Sequence, residues 1–207
     1  MKSFEFRNNP LFLRNEFEVD GKFQMPIVKK QDFNIDDVGL ISISDTKYND
    51  TEINRKKGVH FFVDDYKFEA VYRNPERALV RLSQYAFLCT PDFSTYTNMP
   101  YWRQLESVAH SRWCGAFWQD QGQNVLPTIS WGKPDSYEFS FGAIEKYSMV
   151  AIGMIGCKHS KEEFLAGYNV MLKTIEPSKI LCFGKPFDEM GGDIVTVDYI
   201  LSRKVVR

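Results

Sequence analysis

Three carboxylates and a serine stand where two apolar runs of the chain end. VHFFVDD closes on Asp64 and Asp65, and YAFLCTPDFSTYTNMP leaves its apolar part through Asp92, Ser94 and Tyr96. A pair of carboxylates can act as general acid and base, and a neighbouring hydroxyl can orient the group they act on. Asp64, Asp65 and Asp92 together could instead hold Mg²⁺, which takes oxygen ligands. Pro91 fixes the backbone just before Asp92 and so holds that carboxyl in a repeatable direction. The competing reading is that Asp92 and Ser94 only hydrogen-bond their own loop, as turn residues commonly do.

A second set of residues could meet anionic ligands. A helix expected from Tyr101 to about Gln121 carries Val108, Arg112, Gly115, Ala116 and Gln119 on one face. Arginine's planar fork suits an anion clamp, and the alternative for Arg112 is a salt bridge to a neighbouring acid. His110, Trp113, Cys114, Phe117 and Trp118 form the opposite stripe and are expected to pack. GMIGCKHS joins a strand to a helix and carries Lys158, with Gly184 and Lys185 as expected neighbours. It lacks the G-x-x-x-x-G-K-[ST] spacing, which excludes a P-loop NTPase and leaves a looser phosphate site at the helix start. Trp131 is a candidate stacking platform for a base or sugar, and Tyr96 for the rim of the same site. His60, His110 and His159 show no metal-ligand spacing and are expected to be satisfied core or surface groups.

The elements that must position these residues alternate along the chain. Strands are expected at 38–44, 59–63, 86–89, 124–131, 149–156 and 179–184, and helices at 74–85, 101–121 and 160–175. Asn74 with Pro75, and Ser160 with Glu163, provide helix-start signals, and Gly122 and Pro177 provide stops. Strand, helix, strand at intervals of roughly thirty residues is the signature of βαβ units. The fold class expected is therefore α/β, with a mainly parallel sheet that is either an incomplete β/α barrel or doubly wound. YNDTEINRKKG reads as an exposed loop, DIVTVDYILSRKVVR as a terminal strand at an antiparallel edge, and residues 1–36 as a candidate N-terminal arm. In such sheets ligands bind at the carboxyl ends of the strands, and there the sequence collects Asp64, Asp65, Asp92, Ser94, Tyr96, Trp131, Lys133, Asp135, Gly156, Cys157, Lys158, His159, Gly184 and Lys185.

Composition bounds the rest. With 207 residues, 43% hydrophobic, the chain can bury one core and is expected to be a single domain. The net charge of −1 disfavours extensive coating of nucleic-acid backbone. No signal-peptide core opens the sequence, and nowhere do eighteen apolar residues run together, so a soluble cytoplasmic protein with no membrane partner is expected. Four scattered cysteines without a C-x-x-C pair fit free thiols in a reducing compartment.

The ordered series HFFVDDYKFEAVYRNPERAL, PDFSTYTNMP, HSRWCGAFWQDQG, VLPTISWG and VAIGMIGC resembles domain-of-unknown-function family 4417, found in bacteria, phages and mobile elements. The likeness covers about Val59 to Lys185 and points to Asp65, Pro91, Asp92, Phe93, Ser94, Arg112, Gln119, Trp131 and Gly156. It implies a phage or mobile-element context rather than a chemistry. Two readings are carried forward. In one, the protein is an enzyme acting on a phosphorylated ligand, a nucleotide or a nucleic-acid end. Asp92 and Asp65 are then catalytic, Ser94 and Gln119 orient the substrate, and Arg112 and Lys158 balance its charge. In the other, it binds without turnover, sequestering a nucleotide or docking on a host protein.

Overall fold

The structure, a computed structural model, describes residues 2–198. Two short helices, α1 (Ser3–Arg7) and α2 (Pro10–Leu13), open the chain; Asn9 accepts a hydrogen bond from the Leu11 amide and Pro10 takes the first helical position. A small antiparallel pair, β1 (Val19–Asp20) with β2 (Met25–Pro26), follows. The repeating part then runs β3 (Leu40–Ser42), α3 (Glu52–Arg55), β4 (Gly58–His60), α4 (Glu69–Arg73), α5 (Pro75–Leu82), β5 (Phe87–Cys89), α6 (Tyr101–Asp120) and β6 (Val125–Leu126). It continues with α7 (Tyr137–Phe141), β7 (Met149–Gly153), α8 (Lys161–Ile175), β8 (Lys179–Phe183) and β9 (Ile194–Val197).

Every pairing among β3 to β9 is parallel and follows chain order, in one sheet β3-β4-β5-β6 and another β7-β8-β9. A parallel bridge between Thr128 and Ala151 joins them, with the Ile129 amide donating to Ala151 O at 2.8 Å and the Ala151 amide donating to Pro127 O at 2.8 Å. The order never reverses, so the sheet is singly wound and the doubly wound alternative, which requires a reversal, is set aside. It is also strongly curved. Laid flat, β4 and β8 would stand about 19 Å apart, four spacings of ~4.8 Å. Yet the His60 and Phe62 rings lie 4.5 and 4.8 Å from the Phe183 ring. Among the described residues β3 and β9 are not paired, so the curve is open.

Two cores follow from this shape. Leu181 and Phe183 join the large cluster with Val59, Phe61, Leu88, Trp113 and Trp118, whereas Ile180 and Cys182, of opposite strand parity, pack with Val150, Ile152, Tyr168 and Met171 of β7 and α8. α6 crosses the back of β5 and β6 closely because it carries Gly115 there; a Cβ on that residue would stand 2.8 Å from both Thr90 Cγ2 and Val28 Cγ2. Thr90 locks the contact, accepting from Ser111 Oγ at 3.0 Å and from the Thr128 amide at 2.8 Å. Gly122, at φ +76°, ends the helix as expected.

Four expectations are corrected. β9 is parallel to β8, not antiparallel, and the stretch beyond Asp198 lies outside the described residues. Residues 48–58 are not simply an exposed loop. Within them Glu52–Arg55 form α3, whose buried Asn54 donates to the buried Asp50 just ahead of the helix at 2.9 Å while the Tyr85 hydroxyl donates to Asp50 at 2.6 Å. The capping box at Ser160 does not form; residues 157–160 make a 3-10 turn and the Ser160 side chain caps nothing. Asn74 likewise precedes α5 without a side-chain cap bond.

Candidate active site

The seven strands β3 to β9 run parallel, so their carboxyl ends, and the loops that leave them, share one edge. Asp65 opens the 3-10 turn that follows β4. Its two carboxylate oxygens accept from the Ser94 amide at 3.1 Å and from Ser94 Oγ at 2.9 Å. Ser94 belongs to the loop after β5, so these bonds cross between loops rather than closing a turn within one. Asp92, two residues earlier, lies beside Ser130 beyond β6, whose side chain acts to lower its pKa. Between them Phe93 is buried, packed 5.0 Å from the Phe68 ring and 5.5 Å from His110. The order Asp-Phe-Ser thus has a local cause: the phenyl ring anchors the loop, and period-two alternation leaves both polar side chains on the other side.

The Asp92 carboxyl keeps a little solvent contact but is surrounded by protein. Burial, and after it the charge of Asp65, pushes its pKa up to about 7, against the smaller opposing effect of Ser130. At neutral pH Asp92 is therefore divided between acid and carboxylate, the state a general acid-base group needs. Cys157, beyond β7, feels the same carboxyl. Burial first and the Asp92 charge second raise its thiol to about 11, and its Sγ sits 3.6 Å from Gly153 O. A thiol so placed is protonated at neutral pH and is not the nucleophile.

The remaining expected residues are distributed unevenly. Lys158 is exposed on the 3-10 turn beside Cys157, and Lys185 is exposed just past β8. Tyr96 is 65% exposed in the loop that carries Asp92. Arg112 is elsewhere. Only 1% exposed, it donates to the backbone oxygens of Ser140, Thr128 and Gly142 at 2.6, 3.3 and 3.3 Å. It forms neither the anion clamp nor the salt bridge expected, because three carbonyls have consumed its fork. Burial lowers its pKa to about 10, so it remains a cation. Gln119 is also misplaced by the expectation. α6 returns antiparallel to the strands and carries Gln119 to their amino-terminal edge, where its amide bonds Lys29 O at 2.7 Å and accepts from the Lys29 amide at 2.8 Å. Trp131 packs between Phe141 and Phe164 at 5.7 and 4.9 Å, over Gly167 of α8, so its ring is held by the fold.

For the Mg²⁺ expectation, Asp64 is exposed and paired with Lys67 at 3.2 Å, apart from the Asp65–Asp92 pair. Among the described residues no three His, Cys, Asp or Glu side chains converge as a metal-binding set. Ser130 is the group that sequence reading missed. Its position next to the outward Ile129 at a strand end was the available signal. No helix among the described residues is long and apolar enough to cross a membrane.

Comparison with known proteins adds a lineage. A family described as a domain of unknown function (DUF4417) matches residues 17–200. A "Gene 1 protein" of Mycobacterium phage L5 is 38% identical over 178 residues, covering 84% of this chain and 77% of the relative. A "Gene 1 protein" of Mycobacterium phage D29 is 42% identical over 130 residues, covering 61% of this chain and 48% of the relative. No solved structure matches.

Proposed function

The chain belongs to the domain-of-unknown-function family DUF4417, and we propose that it is an enzyme doing acid-base chemistry on a phosphorylated ligand, a nucleotide or a nucleic-acid end. One observation carries this reading: a carboxyl pair at the strand ends in which Asp92, with a pKa of about 7, can both give and take a proton near neutrality. Asp92 is the proton-transfer group. Asp65 supplies the charge that keeps Asp92 basic, and it holds Ser94, whose hydroxyl orients the ligand. Lys158 and Lys185, exposed on neighbouring strand-end loops, supply the cations for a phosphate; Arg112 and Gln119 no longer belong to this assignment. The four described cysteines are free thiols, which favours action in the reducing cytoplasm of a host cell.

The test is a thermal-shift panel of nucleotides, sugar phosphates and short oligonucleotides, with and without Mg²⁺, followed by turnover assays on whatever binds. A ligand at about 100 times its dissociation constant stabilises the protein by ~2.7 kcal/mol. Asp92→Asn is expected to keep the shift and lower turnover by about 10²–10⁴-fold. A bound ligand that is never converted would overturn the enzymatic reading. It would favour a second one, a module docking on a host protein. That alternative draws on the aromatic rim, where Tyr66, Tyr96 and Trp102 are 76%, 65% and 65% exposed.

A further inference from the structure

The N-terminal arm meets the candidate site through a continuous column of rings. α2 ends at Arg14, in the left-handed region at φ +56°. Its guanidinium carbon lies 3.7 Å from the centre of the Trp113 indole and 4.5 Å from that of the Tyr72 ring, and Nη2 donates to Tyr72 O at 2.9 Å. Tyr72 stacks on His110, centroids 3.6 Å apart and planes 20° from parallel. His110 in turn meets Phe93 edge to face at 5.5 Å. Phe93 stands between Asp92 and Ser94.

Of the arm's other apolar residues, Leu11 packs partly buried against the large core, whereas Phe4, Phe6, Phe12 and Leu13 are exposed, and Arg14 Nη1 is buried without a hydrogen-bond partner among the described residues. The arm is thus held by Leu11 and by a cation on two aromatic faces, with an imidazole stacked against one of them. We propose that residues 3–14 form a strap that is docked while His110 is neutral and released when it is protonated, the release passing through Phe93 to the loop that carries Asp92.

The electrostatics have a definite sign. Burial is the largest influence on His110 and opposes its charging; Arg103 and Arg14 oppose it as well. Glu106, whose Oε1 lies 3.9 Å from Nε2, and Glu69 favour charging, and the balance leaves the pKa below the ordinary 6.5. Tyr72 and Cys114, which also face this column, are both pushed upward and stay neutral across the range concerned. A released arm removes the Arg14 charge that opposes protonation and so lets the His110 pKa rise toward ordinary. Docking is therefore complete above about pH 6.5 and weakens as pH falls below it, about tenfold for each unit separating the two pKa values. The strap rests on its own contacts; only its consequence for Asp92 rests on the proposed function.

The experiment is ¹H–¹⁵N NMR of the full chain between pH 8 and pH 5. It follows the Trp113 indole, which lies under Arg14, together with the amides of Asp92, Phe93 and Ser94. In the wild type these signals are expected to move together as His110 titrates. His110→Phe keeps the stack without the charge and should leave the Trp113 signal flat, whereas Arg14→Ala should show the released position at every pH and a higher His110 pKa. A wild-type Trp113 signal that is flat over this range, or one that moves equally in His110→Phe, overturns the strap. So does an unchanged His110 pKa in Arg14→Ala, which needs no variant at position 110. Movement of Trp113 while residues 92–94 stay still overturns the link to the site and leaves the acid-base reading untouched.

Discussion

At the scale of single residues, burial decides the charge of Asp92 and the role of Arg112. Asp92 has its pKa raised in the folded protein, so the unfolded chain ionises first as pH rises. Stability is therefore unaffected below pH ~4 and falls between there and about 7; a shift of this size costs about 4 kcal/mol once complete. Urea titrations should show Asp92→Asn and wild type equal near pH 4 and the Asn variant clearly more stable at pH 8. Equal midpoints at both pH values would contradict the raised pKa. Asp92 and Ser94 were legible in the sequence because proline, aromatic and acid stood together just past an apolar run. Arg112 was not, since helical spacing gives a face but does not say what lies opposite. Here that was the carbonyls of Ser140, Thr128 and Gly142, on which the fold spends the guanidinium. Arg112→Ala should destabilise the protein by about 3 kcal/mol or more, through oxygens left unpaired, and should leave ligand affinity per folded molecule unchanged. An affinity loss without a stability loss would return Arg112 to the site.

Elements explain which predictions transferred. α5, α6, α8 and the strands β4 to β8 were legible because the helices show an apolar face at helical spacing and the strands lie in short apolar runs, with glycine or proline close by as punctuation. α3 was not, because its polar side chains read as solvent-facing. Asp50, Asn54 and Tyr85 come from segments 31 or more residues apart, apart from the first two, and become compatible with burial only once folded together. Tyr85→Phe removes one donor to the buried Asp50 carboxylate and should cost about 1–3 kcal/mol. Because that bond helps hold the Asp50 pKa down against the burial that raises it, the variant should also unfold at a higher pH during acid titration. Acid midpoints that coincide with wild type would show that Asn54 and the Thr51 amide suffice. The antiparallel expectation for β9 failed for a topological reason: alternating residues mark a strand but carry no direction, and its neighbour β8 fixed that.

For the whole molecule, the governing feature is the curl of a singly wound parallel sheet, which brings Phe183 of β8 onto His60 and Phe62 beside β4. We propose on this ground that the described chain unfolds as one unit. Circular dichroism and tryptophan fluorescence should report a single coincident transition, and Phe183→Ala should lower it as a whole by about 3–5 kcal/mol; two separated transitions would mean that the two sheets stand alone. Within the curled sheet the adjacency of β4, β5 and β6 sets the loops that carry Asp65, Asp92 and Ser130 side by side, and the acid-base reading stands or falls on that meeting. The most direct measurement is a ¹³C carboxyl NMR titration of Asp92 in the wild type and in Asp65→Asn. The expected result is a wild-type pKa near 7 that drops when the Asp65 charge is removed. A pKa in the ordinary range near 4, or one indifferent to Asp65, would contradict it.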